Sequence, residues 1–168
     1  PDVAFLNAAG TTNNEKNLVS YYGRTYESQY LCGMVAGAMT KTNKIGFVAA
    51  NPFGLVNWTV NAYLLGARQM NPDVTLSVVY TGAWYDPVKE RSSAEALVEQ
   101  GVDVIGQHVD SPTPNVVAQE KGILGTGHHR DMSEFAGDSS VCSSVWVWDK
   151  YLPPALQTIS GGSWKPSA

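Results

Sequence analysis

The sequence predicts an α/β fold built on a parallel sheet, and three observations carry that reading. Short apolar runs rich in Val and Ile alternate with stretches of helical length between residues 44 and 125. Strong punctuation bounds the helical stretches: Asp86-Pro87 and Ser111-Pro112 open two of them, while Asn71-Pro72, Gly101 and Gly122 close three. The connections are only a few residues long. Strands alternating with helices in this way make βαβ units, whose strands pair in parallel.

Each element follows from its residues. Val3-Ala4-Phe5-Leu6 is a short strand ending near Gly10, and the polar run TTNNEKN after it reads as a loop. A helix is expected from about Arg24 to Met39. Tyr26, Tyr30, Met34 and Ala38 recur there at helical spacing, with Leu31 and Val35 beside them. Gly33 and Gly37, one turn apart, mark a close helix contact. A strand at 45–49 leads to a helix at 57–70, and a strand at 76–80 follows. Asp86 is a good N-cap and Pro87 fits the first helical position, so a helix runs from there to Gln100. A strand at 102–106, a helix from Ser111 to Gly122 and a strand at 123–125 repeat the pattern. A strand at 141–147 and a helix at about 151–160 complete the chain.

This places a partial N-terminal lobe, one strand and one helix, at residues 1–40. A second α/β lobe, complete in itself, occupies 41–148, and a segment returning to the first lobe occupies 149–168. The polar string Met39-Thr40-Lys41-Thr42-Asn43 is one expected hinge crossing and the neighbourhood of Asp149 the other. The chain begins at Pro1 on a strand-like run and stops after SWKPSA, which reads as a piece of a longer protein.

Composition narrows the partners. With 43% hydrophobic and 15% charged residues the chain is a folded globular segment and not a disordered one. A net charge of −4 argues against nucleic acid, which wants a clustered positive surface. No apolar run approaches the roughly 20 residues that span a bilayer, and no signal peptide is visible. Cys32 and Cys142 have no metal-type spacing. Two positions alone do not define a disulfide, and two small buried side chains are the plainer expectation.

In open parallel sheets ligands bind beyond the carboxyl ends of the strands. That rule selects the loops ANPFGLVNW, GAWYDP, QHVDSP and GHHRD, with Trp146-Val147-Trp148-Asp149 near the return crossing. Four of the five tryptophans lie in them, Trp58, Trp84, Trp146 and Trp148, as do all three histidines, His108, His128 and His129. Flat aromatics with a few hydrogen-bonding groups suit a planar ligand held by stacking. The expected ligand contacts are Asn57, Trp84, Tyr85, Gln107, His108 and Asp110. To these are added His128, His129, Trp146 and Trp148. Structural roles compete with some of these and with their neighbours. Asp86 serves as an N-cap, Asp131 as a loop cap and Trp58 as core packing. Trp84 and Tyr85 are adjacent, so at most one of them faces the cleft. Trp146 and Trp148 alternate on a strand and share a face, whereas Gln107 and His108 point opposite ways.

The histidines with Asp110 or Asp131 also allow a zinc-dependent hydrolase. Against it, adjacent histidines on an extended segment point apart. HExxH, G-x-S-x-G, GxGxxG and Walker motifs are all missing. The expectation is a binding protein with no catalytic residue, metal or cofactor.

The strings YESQYLCGMVAGAMTKTNKIGFV, KIGFVAANPFGLVNW, NPDVTLSVVYTGAWYDPVKE, EALVEQGVDVIGQH and QEKG, with the closing SWKPSA, closely resemble the basic membrane protein (BMP) family over essentially the whole chain. These are substrate-binding proteins of bacterial ABC importers, many of which bind purine nucleosides. The resemblance implies a two-lobed type I periplasmic binding protein that closes on its ligand. It implies a periplasmic or lipid-anchored location outside the cytoplasm and delivery of ligand to ABC permease subunits. It also implies that this chain lacks the first part of the N-terminal lobe and a last C-terminal piece. Two departures bear on the ligand. Family members carry a G-V-D-S-D loop whose first Asp holds ribose, and here Gly127-His128-His129-Arg130-Asp131 puts His129 in that place. A family Lys on the return strand aligns with Trp146. Together with the W-Y-D-P and G-H-H strings, these resemble a branch associated with purine bases such as adenine. Other readings are a sugar receptor on the same fold and the effector-sensing domain of a regulator. The latter would need a basic DNA-binding segment, and none is visible.

Overall fold

The structure, a computed structural model, describes residues 3–166. They divide into two compact units. The sheet unit is Thr25–Val145, and the terminal unit comprises the chain up to Arg24 with the chain from Trp146 onward.

In the sheet unit, α1 (Thr25–Met39), β3 (Lys44–Ala49), α2 (Gly54–Met70), β4 (Thr75–Tyr80), α3 (Pro87–Glu99), β5 (Val104–His108), α4 (Thr113–Glu120), β6 (Leu124–His129), the short α5 (Ser133–Ala136) and β7 (Ser140–Val145) follow one another. The five strands pair in parallel in the order β4-β3-β5-β6-β7. The order reverses after β3, where the chain adds β4 on one side and β5 on the other, so a switch point lies between β3 and β5.

Strand alternation sorts the core onto two faces. Ile45, Phe47, Ala49 and Val104 pack with Cys32 and Ala36 of α1 and Val56, Val60, Tyr63 and Ala67 of α2. Val48, Ala50, Ile105 and Val109 pack with Ala94 and Leu97 of α3 and Val117 of α4. The result is three layers, helix, sheet and helix, with strands buried on both sides.

Several local expectations hold in detail. Asp86 caps α3, its side chain accepting from the Lys89 backbone N–H at 3.1 Å, and Pro87 opens the helix. Glu90 reaches back to the Asp86 N–H at 2.9 Å. The glycine pair of α1 does mark a close contact. A Cβ at Gly33 would stand 2.0 Å from the Tyr63 carbonyl oxygen, and one at Gly37 would stand 2.2 Å from that of Ala67. Gly66 of α2 returns the fit, with 2.0 Å to the Tyr30 carbonyl oxygen.

This packing groups α1 with the sheet, whereas the sequence reading set it in the first lobe. The turn after α1 is also tied down. The Asp103 carboxylate at the start of β5 accepts from the Thr40 hydroxyl at 2.6 Å and from the Lys41 and Thr42 N–H groups at 2.6 and 2.9 Å. The divisions between units fall at Arg24/Thr25 and Val145/Trp146, not at Met39–Asn43 or Asp149.

The strand ends are corrected as well. β5 runs through Gln107 and His108, and β6 runs to His129, beyond the expected ends at 106 and 125. Those residues read as loop because they are polar. They remain in the strand because their backbones pair with neighbouring strands, Gln107 and His108 with Val48 and Ala49, and Thr126 to His129 with Cys142 to Val145.

In the terminal unit, β1 (Phe5–Ala8) pairs in parallel with β2 (Leu18–Tyr21). The sequence reading had no β2. The polar loop before it is held by Asn14, whose side-chain oxygen accepts from the Lys16, Asn17 and Leu18 N–H groups at 2.7 to 3.0 Å. A one-turn segment at Trp148–Lys150 and α6 (Leu152–Ser160) follow later in the chain. Trp146 and Trp148 therefore do not alternate on a strand as expected, since β7 ends at Val145.

Candidate functional site

The carboxyl ends of β3, β5 and β6 lie side by side. Ala49 pairs with His108, and the Ala50 N–H donates to the His108 carbonyl at 3.1 Å. His108 and His128 both lie at even positions of their strands and so face α1 and α2. Their rings stack at 4.4 Å between centroids with 29° between planes. Trp84, from the loop after β4, tilts against His108 at 6.0 Å, and Phe53, before α2, lies 6.1 Å from Trp84. His129 closes the row, 3.9 Å from His128. Phe53, Trp84, His108, His128 and His129 thus form a continuous aromatic row.

Adjacent histidines were expected to point apart. His129 instead has φ +69°, and this left-handed conformation carries its ring back beside that of His128. Its Nε2 lies 3.0 Å from the Asp110 carboxylate.

The row is buried at its centre, with His108 2% and His128 0% exposed. Burial lowers the His108 imidazole to about 4 and holds that of His128 well below its usual range. His129 is lowered too, again by burial, with the Asp110 carboxylate opposing. Near neutral pH the row is uncharged.

A neutral ring has one donor and one acceptor. Gln29 of α1 assigns them in His128. Its amide nitrogen donates to the Gly127 carbonyl at 3.3 Å and to His128 Nδ1 at 3.1 Å. The His128 proton therefore sits on Nε2. That N–H, and both ring nitrogens of His108, have no hydrogen-bond partner of good geometry within the protein. Buried groups in this state cost about 1–3 kcal/mol each, so the row combines flat ring faces with unsatisfied donors and acceptors.

The other expected contacts fall elsewhere. Gln107 faces α4. Its amide nitrogen donates to the Val109 and Ser111 carbonyls at 3.1 and 2.8 Å, and its oxygen accepts from Asn115 at 2.6 Å. The amide thereby holds the loop after β5. Asn57 accepts from the Tyr80 hydroxyl at 2.8 Å. Tyr85 is 65% exposed beside Trp84. Trp58 is exposed and lines a groove of about 460 Å³ with Tyr26, Asn61, Ala62 and Leu65. Asp131 accepts from the Ser133 N–H at 2.9 Å, the loop-cap role.

In the terminal unit Trp146 and Trp148 stack at 4.6 Å with 16° between planes. Tyr22 meets Trp146 edge-on at 5.1 Å, and Tyr21 meets Trp148 in the same way at 5.7 Å. The shared face that was expected is present, with Trp146 just past the end of β7 and Trp148 opening the one-turn segment.

Phe53 and Gln29 were missed. Phe53 lies in a loop already marked by the strand-end rule. Gln29 carried no signal, because its partner His128 is 99 positions away. Among the described residues no group of three or more His, Cys, Asp or Glu side chains is arranged to hold a metal ion.

The sequence and the fold match known proteins. The family model described as ABC transporter substrate-binding protein PnrA-like, named Bmp, matches residues 1–167. A Haloferax volcanii protein named "Putative ABC transporter glucose-binding protein TsgA13" is 39% identical, over 100% of this chain and 43% of that protein. The purine-binding protein BAB2_0673 of Brucella abortus is 36% identical, over 98% of this chain and 47% of that protein. The chain thus spans less than half the length of these curated relatives. Among solved structures, one named as a transcriptional activator of the comK gene from Bacillus halodurans has a TM-score of 0.84 at 27% identity. It is matched over 98% of this chain and 57% of that one. An ABC transporter solute-binding protein from Aeropyrum pernix K1 has a TM-score of 0.82 at 21% identity, over 98% and 49%.

Proposed function

Because the chain belongs to the Bmp family of PnrA-like ABC transporter substrate-binding proteins, which bind solutes and are not enzymes, we propose that the protein it forms part of is the extracytoplasmic receptor of an ABC importer for a purine-like ligand. A nucleobase such as adenine is preferred over its nucleoside, and the partners are permease subunits in the membrane.

The observation that carries this reading is the neutral aromatic row with unpartnered nitrogens at His108 and His128. A purine base is flat, so it stacks. Its edge offers both donors and acceptors, which neutral imidazoles answer without charge. A ribose wants a carboxylate or an ammonium for its hydroxyls. By the family resemblance His129 stands where a ribose-holding carboxylate is expected, and a neutral imidazole accepts only one hydrogen bond. Trp84, beside His108 in the row, serves as its stacking group. The Brucella relative, named as purine-binding, supports the same class.

The Haloferax relative favours a second reading, a sugar receptor. Sugar sites also stack on tryptophan, and the Asp110 carboxylate, 45% exposed, is available to hydroxyls. Calorimetric titration of the whole protein with adenine, adenosine, guanine, guanosine and glucose separates the two. Tighter binding of bases than of nucleosides is expected. Tighter binding of nucleosides throughout removes the base preference, and binding of glucose alone establishes the second reading.

A further inference from the structure

The two cysteines, 110 positions apart in sequence, are brought together by the register of α1 on β7. The Ser28 and Ser144 hydroxyls hydrogen-bond to each other across this contact. α1 runs antiparallel to the strands. Its start lies at the carboxyl end of β6, where Gln29 meets Gly127, and its end lies at the start of β5, where Thr40 meets Asp103. From the serine pair, Cys32 is one helical turn onward on the same face, a rise of about 6 Å. Cys142 is two residues back on the same strand face, a rise of about 6.6 Å. The two steps match in length and direction, so the thiols meet. Cys142 packs against the buried cluster that contains Cys32. Both thiols are free in this structure.

We propose that Cys32 and Cys142 are an oxidisable pair that forms a disulfide between α1 and β7 on reaction with a small-molecule disulfide such as oxidised glutathione. The roles of the two sulfurs differ. A hydrogen bond from Cys32 favours the Cys142 thiolate, and Cys142 is the less buried of the two. The neighbouring Cys142 sulfur, together with burial, pushes the Cys32 thiol up. Cys142 therefore attacks first. Its thiolate bonds to one sulfur of the oxidant, breaking the S–S bond and releasing one small thiolate. Cys32 then attacks the Cys142 sulfur of the mixed disulfide, loses its proton, and releases the second small thiolate. Two protein thiols are oxidised, one small disulfide is reduced to two thiols, and the two protein protons pass to them.

The bond closes a loop that spans most of the sheet unit, from its first helix to its last strand, and such long loops constrain the unfolded chain most. It also fastens the helix whose Gln29 sets the His128 tautomer. The pairing depends only on the α1–β7 register and is independent of which ligand the protein carries.

The test treats the purified native protein with oxidised glutathione, alkylates under denaturing conditions, and maps peptides by mass spectrometry. A cross-linked peptide pair holding Cys32 and Cys142, with a mass two hydrogens lower, is expected. The melting temperature should rise by about 5–10 °C and fall back on reduction. In a Cys32→Ser variant, Cys142 should stop at the glutathione adduct. In a Cys142→Ser variant, Cys32 should remain a free thiol. Two free thiols in the treated native protein, or a stable glutathione adduct at Cys142 with Cys32 unreacted, would overturn the proposal. That native-protein measurement does not depend on either variant folding.

Discussion

At His108 a single buried ring makes stability depend on pH. Burial holds its imidazole near 4 in the folded chain, below its ordinary value of 6.5. The folded state therefore resists a proton that the unfolded state takes up. Its stability is whole above about pH 6.5 and is lost as the pH falls toward about 4. His108 alone accounts for about 3 kcal/mol over that window, and His128, shifted in the same direction, adds to it. The charged or titratable groups around the ring are His128, His129 and Asp110, the carboxylate offsetting part of the loss. Urea unfolding at steps from pH 7 to pH 4 should show this fall, and a flat profile would contradict it. His108→Phe keeps an aromatic ring and removes the titration. It should flatten the profile and, on the proposed function, weaken adenine binding about tenfold by deleting one hydrogen-bonding partner. Titration calorimetry of the variant checks that second effect.

Between elements, the α1–α2 contact leaves no room for a side chain at its glycines. On an exposed helix, replacing glycine by alanine stabilises by roughly 1 kcal/mol. At Gly33 the sign should reverse, because the new methyl would stand 2.0 Å from the Tyr63 carbonyl oxygen and backbone cannot step aside. Gly33→Ala should destabilise by about 2–3 kcal/mol, the cost of forcing two packed helices apart, as measured by chemical denaturation. A stabilised variant would mean the helices sit further apart than described. The cap of α3 gives a smaller effect. Asp86→Ala removes the side-chain acceptor of the Lys89 N–H. It should lower the melting temperature slightly, by loss of the cap, and leave ligand affinity unchanged.

For the molecule as a whole, the division at Arg24/Thr25 and Val145/Trp146 leaves the sheet unit as one unbroken stretch of chain. That stretch holds all five strands of the large sheet and both core clusters. Residues 25–145 expressed alone should therefore melt cooperatively, with the circular dichroism of a mixed α/β domain. A non-cooperative melt would show that the terminal unit is needed for the core to form. The terminal unit is assembled from two separated pieces of chain around β1, β2 and the Trp146–Trp148 stack.

What depends on near neighbours is legible in the chain: the alternation of strand and helix, the Asp86 cap, the tight glycine contact, and the strand ends on which aromatic and histidine side chains collect. Helical and strand periods and capping bonds act over a few residues, so they are written locally. The sequence also carried the family, through strings long enough to be specific. What depends on register between distant segments emerges only from packing in three dimensions. Gln29 orients His128, Gln107 turns away to hold a loop, and Cys32 meets Cys142. The left-handed bend at His129, which turns two neighbouring rings into one row, belongs with these, because nothing in a pair of adjacent histidines specifies φ. β2 went unread for the same reason. A four-residue strand is recognised by its partner, and its partner β1 lies across a loop held by asparagine side chains.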